Sequence, residues 1–173
     1  LDAAPSFGTF IENSFSGSDA DFVCWSFDAM KLIPCGEGGG IYFKDLSLIE
    51  KFKEYCYLGL PASSKSGIDS AKKGKSSMWW EYQLNVPGRR SIFTNVNAAI
   101  GIPEIEKVNQ KLKKRSETRK KYVEAIGKMD HLNFINQNQY GVEYSNYFFT
   151  ILTSERDQLA HYLMKNDIYT TFR

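Results

Sequence analysis

Apolar and polar residues follow one another along the chain in patterns that predict both strands and helices. DFVCWSF (residues 21 to 27) is rich in β-branched and aromatic residues, which predicts a short buried strand. GGIYFKD (residues 39 to 45) predicts a second strand after a glycine-rich turn. Two such strands in one short segment are typical of an antiparallel pair. Residues 9 to 20 are small and polar, which predicts a connection without regular structure.

Helical spacing begins after the second predicted strand. The apolar residues of SLIEKFKEYCYLGL (residues 47 to 60) recur on one helix face. Ser47 followed by Glu50 forms a capping-box pattern, which predicts that the helix begins there. Thr94 is predicted to cap the helix NVNAAIGI. Pro103 is predicted to lie in the first turn of a further, long helix.

The last part of the chain shows the order strand, helix, strand. YFFTILT (residues 147 to 153) predicts a strand, and Thr153 or Ser154 is predicted to cap the helix ERDQLAHYLMKND. IYTTF (residues 168 to 172) predicts the beginning of another strand. Residues 61 to 77 have almost no apolar content, which predicts a long surface loop.

Composition narrows the classes of function. The chain has 173 residues, an apolar fraction of 42% and a net charge of +2, which favours an ordinary globular protein over a nucleic-acid or membrane-surface binder. The three cysteines include no CxxC pair, so we expect reduced thiols, a cytoplasmic protein and no metal site. Because the chain opens on Leu1 and stops in the middle of a β-rich pattern, we also expect a piece of a longer protein.

The stretch SFDAMKLIPCGEGGG (residues 26 to 40) joins one lysine to a glycine-rich segment. A P-loop is excluded, because its lysine follows the glycines whereas Lys31 precedes them. A dinucleotide loop is excluded as well, because such a loop opens a helix and these glycines lead into a predicted strand. One remaining interpretation is a sharp turn that uses the positive φ angles open to glycine.

The other remaining interpretation is a covalent cofactor site. A lysine amine can form a Schiff base with an aldehyde, of which pyridoxal phosphate (PLP) is the common example. Such a site also needs a carboxylate for the pyridine nitrogen, and hydroxyls or an arginine for the phosphate. Asp2, Ser26 and Arg90 are available for those roles.

Segments in the order DAAPSFG, SFDAMK, GEGG and GRRSIFTNVNAAIG resemble the DegT/DnrJ/StrS family of PLP-dependent sugar aminotransferases. The resemblance is strongest at WSFDAMKLIPCGEGGG, where the family shows a serine, an aromatic residue, the cofactor lysine and a glycine-acid-glycine-glycine turn. TNVNAAIGIPEIEKV is similar to the family's AAIG helix, and SERDQLAHYLMKNDIYTTFR to its small-domain helix and following strand. Several segments in the right order are more specific than any one of them.

The resemblance implies an α/β fold, part of the PLP-dependent transferase fold type I. Residues 1 to 108 would form the C-terminal part of the PLP-binding large domain. Residues 109 to 173 would form the long linking helix and the start of the small C-terminal domain. Family members are longer and place the active site at a subunit interface, so the resemblance also implies a homodimer for the intact protein.

The resemblance assigns roles to four residues. Lys31 would carry PLP and shuttle a proton at the substrate's α-carbon during transamination. Asp2 would pair with the pyridine nitrogen, and Ser26 would hydrogen-bond the phosphate. Arg90 occupies a position where many members have an asparagine that reaches the phosphate of the neighbouring subunit, and arginine suits an anion at least as well.

The implied function is transfer of an amino group, typically from glutamate, to a keto-sugar carried on a nucleotide, in surface polysaccharide or amino-sugar biosynthesis. Lys31 favours an aminotransferase over the related sugar dehydratases, which carry histidine there. One alternative is a non-catalytic remnant of the PLP fold that acts as a dimerisation or regulatory module. Another is nucleic-acid binding through the basic residues 65 to 75 and 111 to 121, which the small net charge of +2 disfavours.

Overall fold

The computed structural model describes residues 1–60, 84, 86–137 and 139–172, and it is mixed α/β as predicted. The predicted surface loop at residues 61 to 77 lies outside the described residues. In chain order, the elements are β1 (Phe10–Ile11), β2 (Ser14–Phe15), β3 (Phe22–Ser26), β4 (Gly39–Phe43), α1 (Leu48–Cys56), α2 (Asn95–Glu106), α3 (Val108–Ile126), β5 (Asn133–Phe134), β6 (Val142–Glu143), β7 (Ile151–Leu152) and α4 (Arg156–Lys165).

The chain divides into two compact units. The first unit comprises Leu1–Pro5 and Gly17–Glu106, and the second unit comprises Ser6–Ser16 and Lys107–Arg173. The assignment of a large and a small domain stays a prediction. Among the helices that the structure describes, none combines the length and the apolar character needed to cross a membrane.

A small sheet organises the first unit. β3 and β4 pair antiparallel with Phe22 opposite Phe43 and Ser26 opposite Gly39, which confirms both predicted strands and their pairing. On the other side of β3, the Ala3 N–H donates to the Cys24 carbonyl at 2.8 Å. The bridge there is parallel, so the first residues of the chain run beside β3 in the same direction.

The core of the first unit gathers around this sheet and the turn that joins β3 to β4. Ile33 is 1% exposed and Val23 is fully buried, so strand and turn contribute to the same core. Burial of side chains of this size is a main source of folding free energy. The core residues of this unit are Ala3, Val23, Leu32, Ile33, Cys35 and Phe43.

The helices of the first unit match the predictions in part. α1 begins at Leu48 with Ser47 at its N-cap, but the predicted capping box is wrong, because Ser47 makes no side-chain cap hydrogen bond. Asp45 Oδ1 instead accepts a hydrogen bond from the Ser47 N–H at 2.9 Å, just before the helix begins. Glu50 pairs with Lys53 at 2.6 Å.

The next helix confirms one prediction and corrects another. Thr94 Oγ1 accepts a hydrogen bond from the Asn97 N–H at 3.2 Å, so Thr94 caps α2 as predicted. The prediction that a new helix starts at Pro103 is wrong, since Pro103 lies inside α2 and the break falls at Lys107. Proline lacks one backbone donor, but the helix continues past it to Glu106.

The second unit contains a hairpin where a connection was predicted. β1 pairs antiparallel with β2 and also with β6. The hairpin turn consists of Glu12 and Asn13, with φ of 48° and 68°. Two central residues with positive φ are typical of a type I′ turn, which suits the twist of tight hairpins.

Aromatic residues of the second unit pack against α3. The ring of Phe149 lies 5.0 Å from that of Tyr122 and 5.8 Å from that of Phe134. The strand predicted at residues 147 to 153 is limited to β7, which pairs with β5. No strand forms at residues 168 to 172 of the described chain, so that prediction is wrong.

Candidate active site

Lys31 lies in a loop whose two ends are joined by backbone hydrogen bonds. The Phe27 N–H, just after β3, donates to the Gly38 carbonyl, and the Cys35 N–H donates to the Phe27 carbonyl, both at 2.9 Å. Within the loop, the Lys31 N–H donates to the Asp28 carbonyl, also at 2.9 Å. We call residues 27 to 38 the lysine turn. Its backbone is therefore held at its ends and again beside the lysine.

Buried side chains fasten the lysine turn to the core. Leu32 and Ile33, which directly follow Lys31, are 4% and 1% exposed, and Cys35 is 2% exposed. Lys31 itself is half-buried. Movement of the lysine backbone would expose these neighbours to water, so the packing resists it.

The glycines in the lysine turn and at the start of β4 have individual roles. Gly36 and Gly38 have φ of +82° and +139°, as the turn interpretation predicts. A Cβ added at Gly38 would overlap the Phe93 ring, and one added at Gly39 would come within 2.6 Å of the Trp25 carbonyl oxygen. Gly39 and Gly40 belong to β4. The sharp turn predicted from the sequence is therefore present, and it places Lys31 between β3 and β4.

Asp2 and Ser26 share one face of the sheet. Asp2 is opposite Cys24 in the parallel bridge, and Ser26 lies two residues further along β3. Directly opposed residues and residues two apart point to the same face of a sheet. Val23, next to Cys24, points to the buried face. The carboxylate and the hydroxyl are therefore brought to the same face near the carboxyl end of β3, where the lysine turn begins.

Arg90 has a different setting. It forms an antiparallel bridge with Tyr57, just after α1, and its neighbours extend that pairing. The Arg89 N–H donates to the Tyr55 carbonyl at 2.7 Å, and the Ser91 N–H donates to the Cys56 carbonyl at 2.8 Å. Arg90 is exposed. The backbone of Arg90 is thus held in place at the surface. The hydrogen bonds described above for the lysine turn do not involve Arg90.

Two residues of α2 that the sequence analysis did not select touch the lysine turn. Asn97 Nδ2 donates to the Cys35 carbonyl at 2.6 Å. A Cβ added at Gly101 would come within 2.6 Å of Cys35 Sγ, so the helix approaches the turn closely there. An available signal was the pattern Thr94-x-x-Asn97, in which the third helical residue is a side-chain donor rather than the usual acid.

Cys35 serves packing rather than chemistry. Burial raises the pKa of its thiol, and the nearby Glu104 carboxylate raises that pKa further. A raised pKa keeps the thiol protonated, and a protonated thiol is a poor nucleophile. Lys31 therefore stays the predicted nucleophile of the lysine turn.

Part of the basic segment at residues 111 to 121 packs against other residues of the second unit. The Arg115 guanidinium lies 5.3 Å from the centre of the Tyr147 ring, and that of Arg119 lies 5.2 Å from the centre of the Phe149 ring. Arg119 also donates to the Ile135 carbonyl at 3.1 Å. Arginines stacked on aromatic rings contribute to packing, which favours a structural role for this part of α3. The other basic segment, residues 65 to 75, lies outside the described residues.

A cavity of about 620 Å³ lies in the second unit beside the same helix. Two amide oxygens of its lining, Gln137 Oε1 and Asn146 Oδ1, are buried without a hydrogen-bond donor among the described residues. None of the four predicted site residues lines this cavity.

Comparison with known proteins places the chain among sugar aminotransferases. A profile of the DegT/DnrJ/EryC1/StrS aminotransferase family matches residues 1–172. Over 99% of its length, the chain is 30% identical to the dTDP-4-dehydro-2,3,6-trideoxy-D-glucose 4-aminotransferase of Saccharopolyspora spinosa, of which it covers 44%. The resemblance predicted from the four segments is thereby confirmed.

Solved structures show the same fold. The aminotransferase TlmJ from Streptoalloteichus hindustanus matches 99% of this chain with a TM-score of 0.85 at 29% identity. The putative sugar aminotransferase Spr1654 from Streptococcus pneumoniae, in its PLP form, matches 97% of the chain with a TM-score of 0.80 at 21% identity. This chain covers 43% and 41% of those two chains, so its α/β fold corresponds to a part of theirs.

Proposed function

The chain belongs to the DegT/DnrJ/EryC1/StrS aminotransferase family, and we propose that the whole protein transfers an amino group from an amino acid such as glutamate to a nucleotide-linked keto-sugar. The cofactor would be PLP, on which this family depends. The observation that carries the proposal is the position of Lys31, on a turn fastened to the core beside the sheet face that holds Asp2 and Ser26.

The hydrogen bonds around Asp2 and Ser26 fit the two polar ends of PLP. Asp2 Oδ1 accepts from the Ala4 N–H at 3.0 Å, so the carboxylate is oriented by its own backbone while Oδ2 can accept from a protonated pyridine nitrogen. Ser26 Oγ accepts from the Asp28 N–H at 3.3 Å, so the hydroxyl proton can be donated to a phosphate oxygen. Among the described residues, neither group has a hydrogen bond that it must give up to serve the cofactor.

Each residue then has a defined task. Bound PLP supplies the electron sink for the bond broken at the substrate's α-carbon. Lys31 Nζ would hold the cofactor and would accept and later release the proton taken from the substrate's α-carbon. Asp2 would favour a protonated pyridine nitrogen by placing a negative charge beside it. The fastened lysine turn would limit movement of the Lys31 backbone, which would lower the entropic cost of the transfer.

Arg90 is proposed to bind the phosphate of a PLP molecule held by a second copy of the chain. Its backbone is fixed by the bridge to Tyr57, and its side chain is exposed. An exposed guanidinium on a fixed backbone is suited to a phosphate offered from outside the chain, because guanidinium and phosphate form paired hydrogen bonds. The proposal therefore includes a homodimer in which each copy completes the other's site.

The substrate class rests on the relatives. One relative is named as an aminotransferase of a dTDP-linked 4-dehydro sugar, so a nucleotide-linked keto-sugar is the proposed acceptor, in amino-sugar or surface polysaccharide biosynthesis. The chain covers 44% of that relative, so these activities are proposed for the whole protein. The three cysteines are free thiols, which agrees with the reducing cytoplasm, our proposed location.

Product analysis tests the proposed reaction. The whole protein is incubated with PLP, L-glutamate and a panel of nucleotide-linked keto-sugars, and the mixture is analysed by mass spectrometry. We expect an aminated nucleotide sugar and an equal amount of 2-oxoglutarate. A protein that binds PLP through Lys31 yet aminates no member of the panel and makes no 2-oxoglutarate would overturn the proposal and favour the non-catalytic alternative.

A further inference from the structure

We infer that Asn97 is a positioning residue for Lys31, acting through the backbone of the lysine turn. The inference rests on the proposed function, since it concerns the placement of the cofactor lysine. Asn97 lies in the first turn of α2, and its side chain reaches a segment 62 residues earlier in the chain. No part of it needs to touch the cofactor for the effect.

The contact is oriented by a small hydrogen-bond network. Thr94 Oγ1 accepts from the Asn97 N–H and donates its own proton to Asn97 Oδ1. The Cys35 carbonyl can only accept a hydrogen bond, so the end of the Asn97 amide that faces it, at 2.6 Å, is the nitrogen. The amide oxygen then faces the Thr94 hydroxyl, which donates to it. The helix cap thus also supports the direction of the contact.

The Cys35 carbonyl belongs to the backbone that fixes the lysine. The Cys35 N–H donates to the Phe27 carbonyl at 2.9 Å, and these residues flank the part of the turn that contains Lys31. The carbonyl of Asp28, the residue after Phe27, accepts a hydrogen bond from the Lys31 N–H. A contact at Cys35 therefore acts on the same hydrogen-bonded frame that sets the lysine backbone.

The face of α2 that meets the lysine turn leaves room for close packing. Gly101 lies one turn after Asn97 on the same face of α2, and it leaves room for Cys35 Sγ. On the turn itself, a Cβ at Gly36 would lie 3.4 Å from Asn97 Nδ2, which is ordinary contact. The amide is half-buried, so its hydrogen bond is only partly exposed to competition from water.

Asn97→Asp separates positioning from helix stability. Aspartate has nearly the same shape but only accepts hydrogen bonds, so the donor to Cys35 is lost and a negative charge faces a carbonyl. An acid in the first helical turn favours the helix, so α2 itself is not weakened. Asn95→Asp is the matched control, because Asn95 is an exposed residue in the same turn.

The readout is capture of PLP by Lys31 in the whole protein. PLP is titrated, the adduct is reduced with borohydride, and the fraction modified at Lys31 is measured by mass spectrometry. For Asn97→Asp we expect the PLP concentration at half-modification to rise about tenfold, which is typical of one lost hydrogen bond near a charged group. The pH dependence of bound PLP absorption should shift as well, because a displaced amine meets a different environment. Asn95→Asp should match the unchanged protein in both respects.

The outcomes separate the inference from the proposed function. An unchanged protein that is not modified at Lys31 would refute the cofactor site itself. If the unchanged protein is modified there and Asn97→Asp follows the same titration and pH curve, the positioning role is wrong.

A second pair of variants decides the matter if Asn97→Asp does not fold. Thr94→Asp still caps the helix but cannot donate to Asn97 Oδ1, whereas Thr94→Ser can. We expect Thr94→Asp to weaken PLP capture and Thr94→Ser to preserve it. Equal capture by both variants would overturn the inference.

Discussion

Lys31→Ala is expected to lower the amination rate of the whole protein by about 10³-fold, the order of effect seen when a group that moves a proton in the reaction is removed. In the proposed roles of Lys31, the variant would lose both the covalent hold on PLP and the base at the α-carbon. Alanine removes no buried apolar side chain, so Leu32 and Ile33 can still fasten the turn. The measurement is the rate of amine formation from glutamate and a nucleotide-linked keto-sugar.

A second lysine serves as the control for this variant. Lys51 lies exposed on α1 of the same unit, and Lys51→Ala should leave the rate unchanged. A small primary amine such as methylamine, added to Lys31→Ala, should restore part of the lost rate, because it supplies the missing base. A Lys31→Ala protein that works within a few-fold of the unchanged rate would show that another residue carries the cofactor.

Gly38→Ala is expected to destabilise the fold by about 3 kcal/mol, combining backbone strain of about 1–3 kcal/mol with a steric overlap. The φ of +139° is one that residues with a side chain rarely adopt. The added methyl group would also overlap the Phe93 ring, so either the ring or the lysine turn must move. The free energy of unfolding can be measured by urea denaturation.

Gly36→Ala is the matched control, since it adds the same methyl group at another positive φ. Its φ is +82°, and the added Cβ would lie 3.4 Å from Asn97 Nδ2, an ordinary contact. We therefore expect a loss of about 1–2 kcal/mol, which is the cost of the left-handed backbone alone. Equal losses for both variants would mean that the contact with Phe93 does not constrain the turn.

Elements that leave a signature in a short stretch of residues were predictable from the sequence. β3 and β4 were found because β-branched and aromatic residues cluster there, and Val23 and Phe43 prove to be core residues. Thr94 was found because a side-chain cap is a local interaction with a sequence signature. In these cases the forces that form the element act between near neighbours in the chain.

Elements that depend on distant partners were predicted poorly. β1 has only two residues and pairs with β6, which lies more than a hundred positions later in the chain. Such a strand has too few residues for an alternating pattern, and its partner is not visible locally. The reverse error occurs at residues 168 to 172, where strand-forming residues have no pairing in the described chain, and strand propensity without a partner is weak.

Some features of the candidate site could likewise be predicted from the sequence, whereas others required the structure. Lys31, Asp2, Ser26 and Arg90 were selected for the chemistry that a PLP site needs and received their roles from the family resemblance, and those roles stay predictions. The structure adds the shared sheet face of Asp2 and Ser26, which follows from strand register rather than from spacing in the sequence. Asn97 escaped notice because its contact with Cys35 joins residues that are distant in the chain. Only the packing of α2 against the lysine turn makes that contact visible.

Reductive trapping shows directly whether Lys31 carries PLP. The whole protein is mixed with PLP, reduced with borohydride, digested, and mapped by mass spectrometry. We expect one dominant modified peptide containing Lys31, and we expect it to be absent from Lys31→Ala. Modification spread over exposed lysines such as Lys51, with Lys31 unmodified in the folded protein, would contradict it.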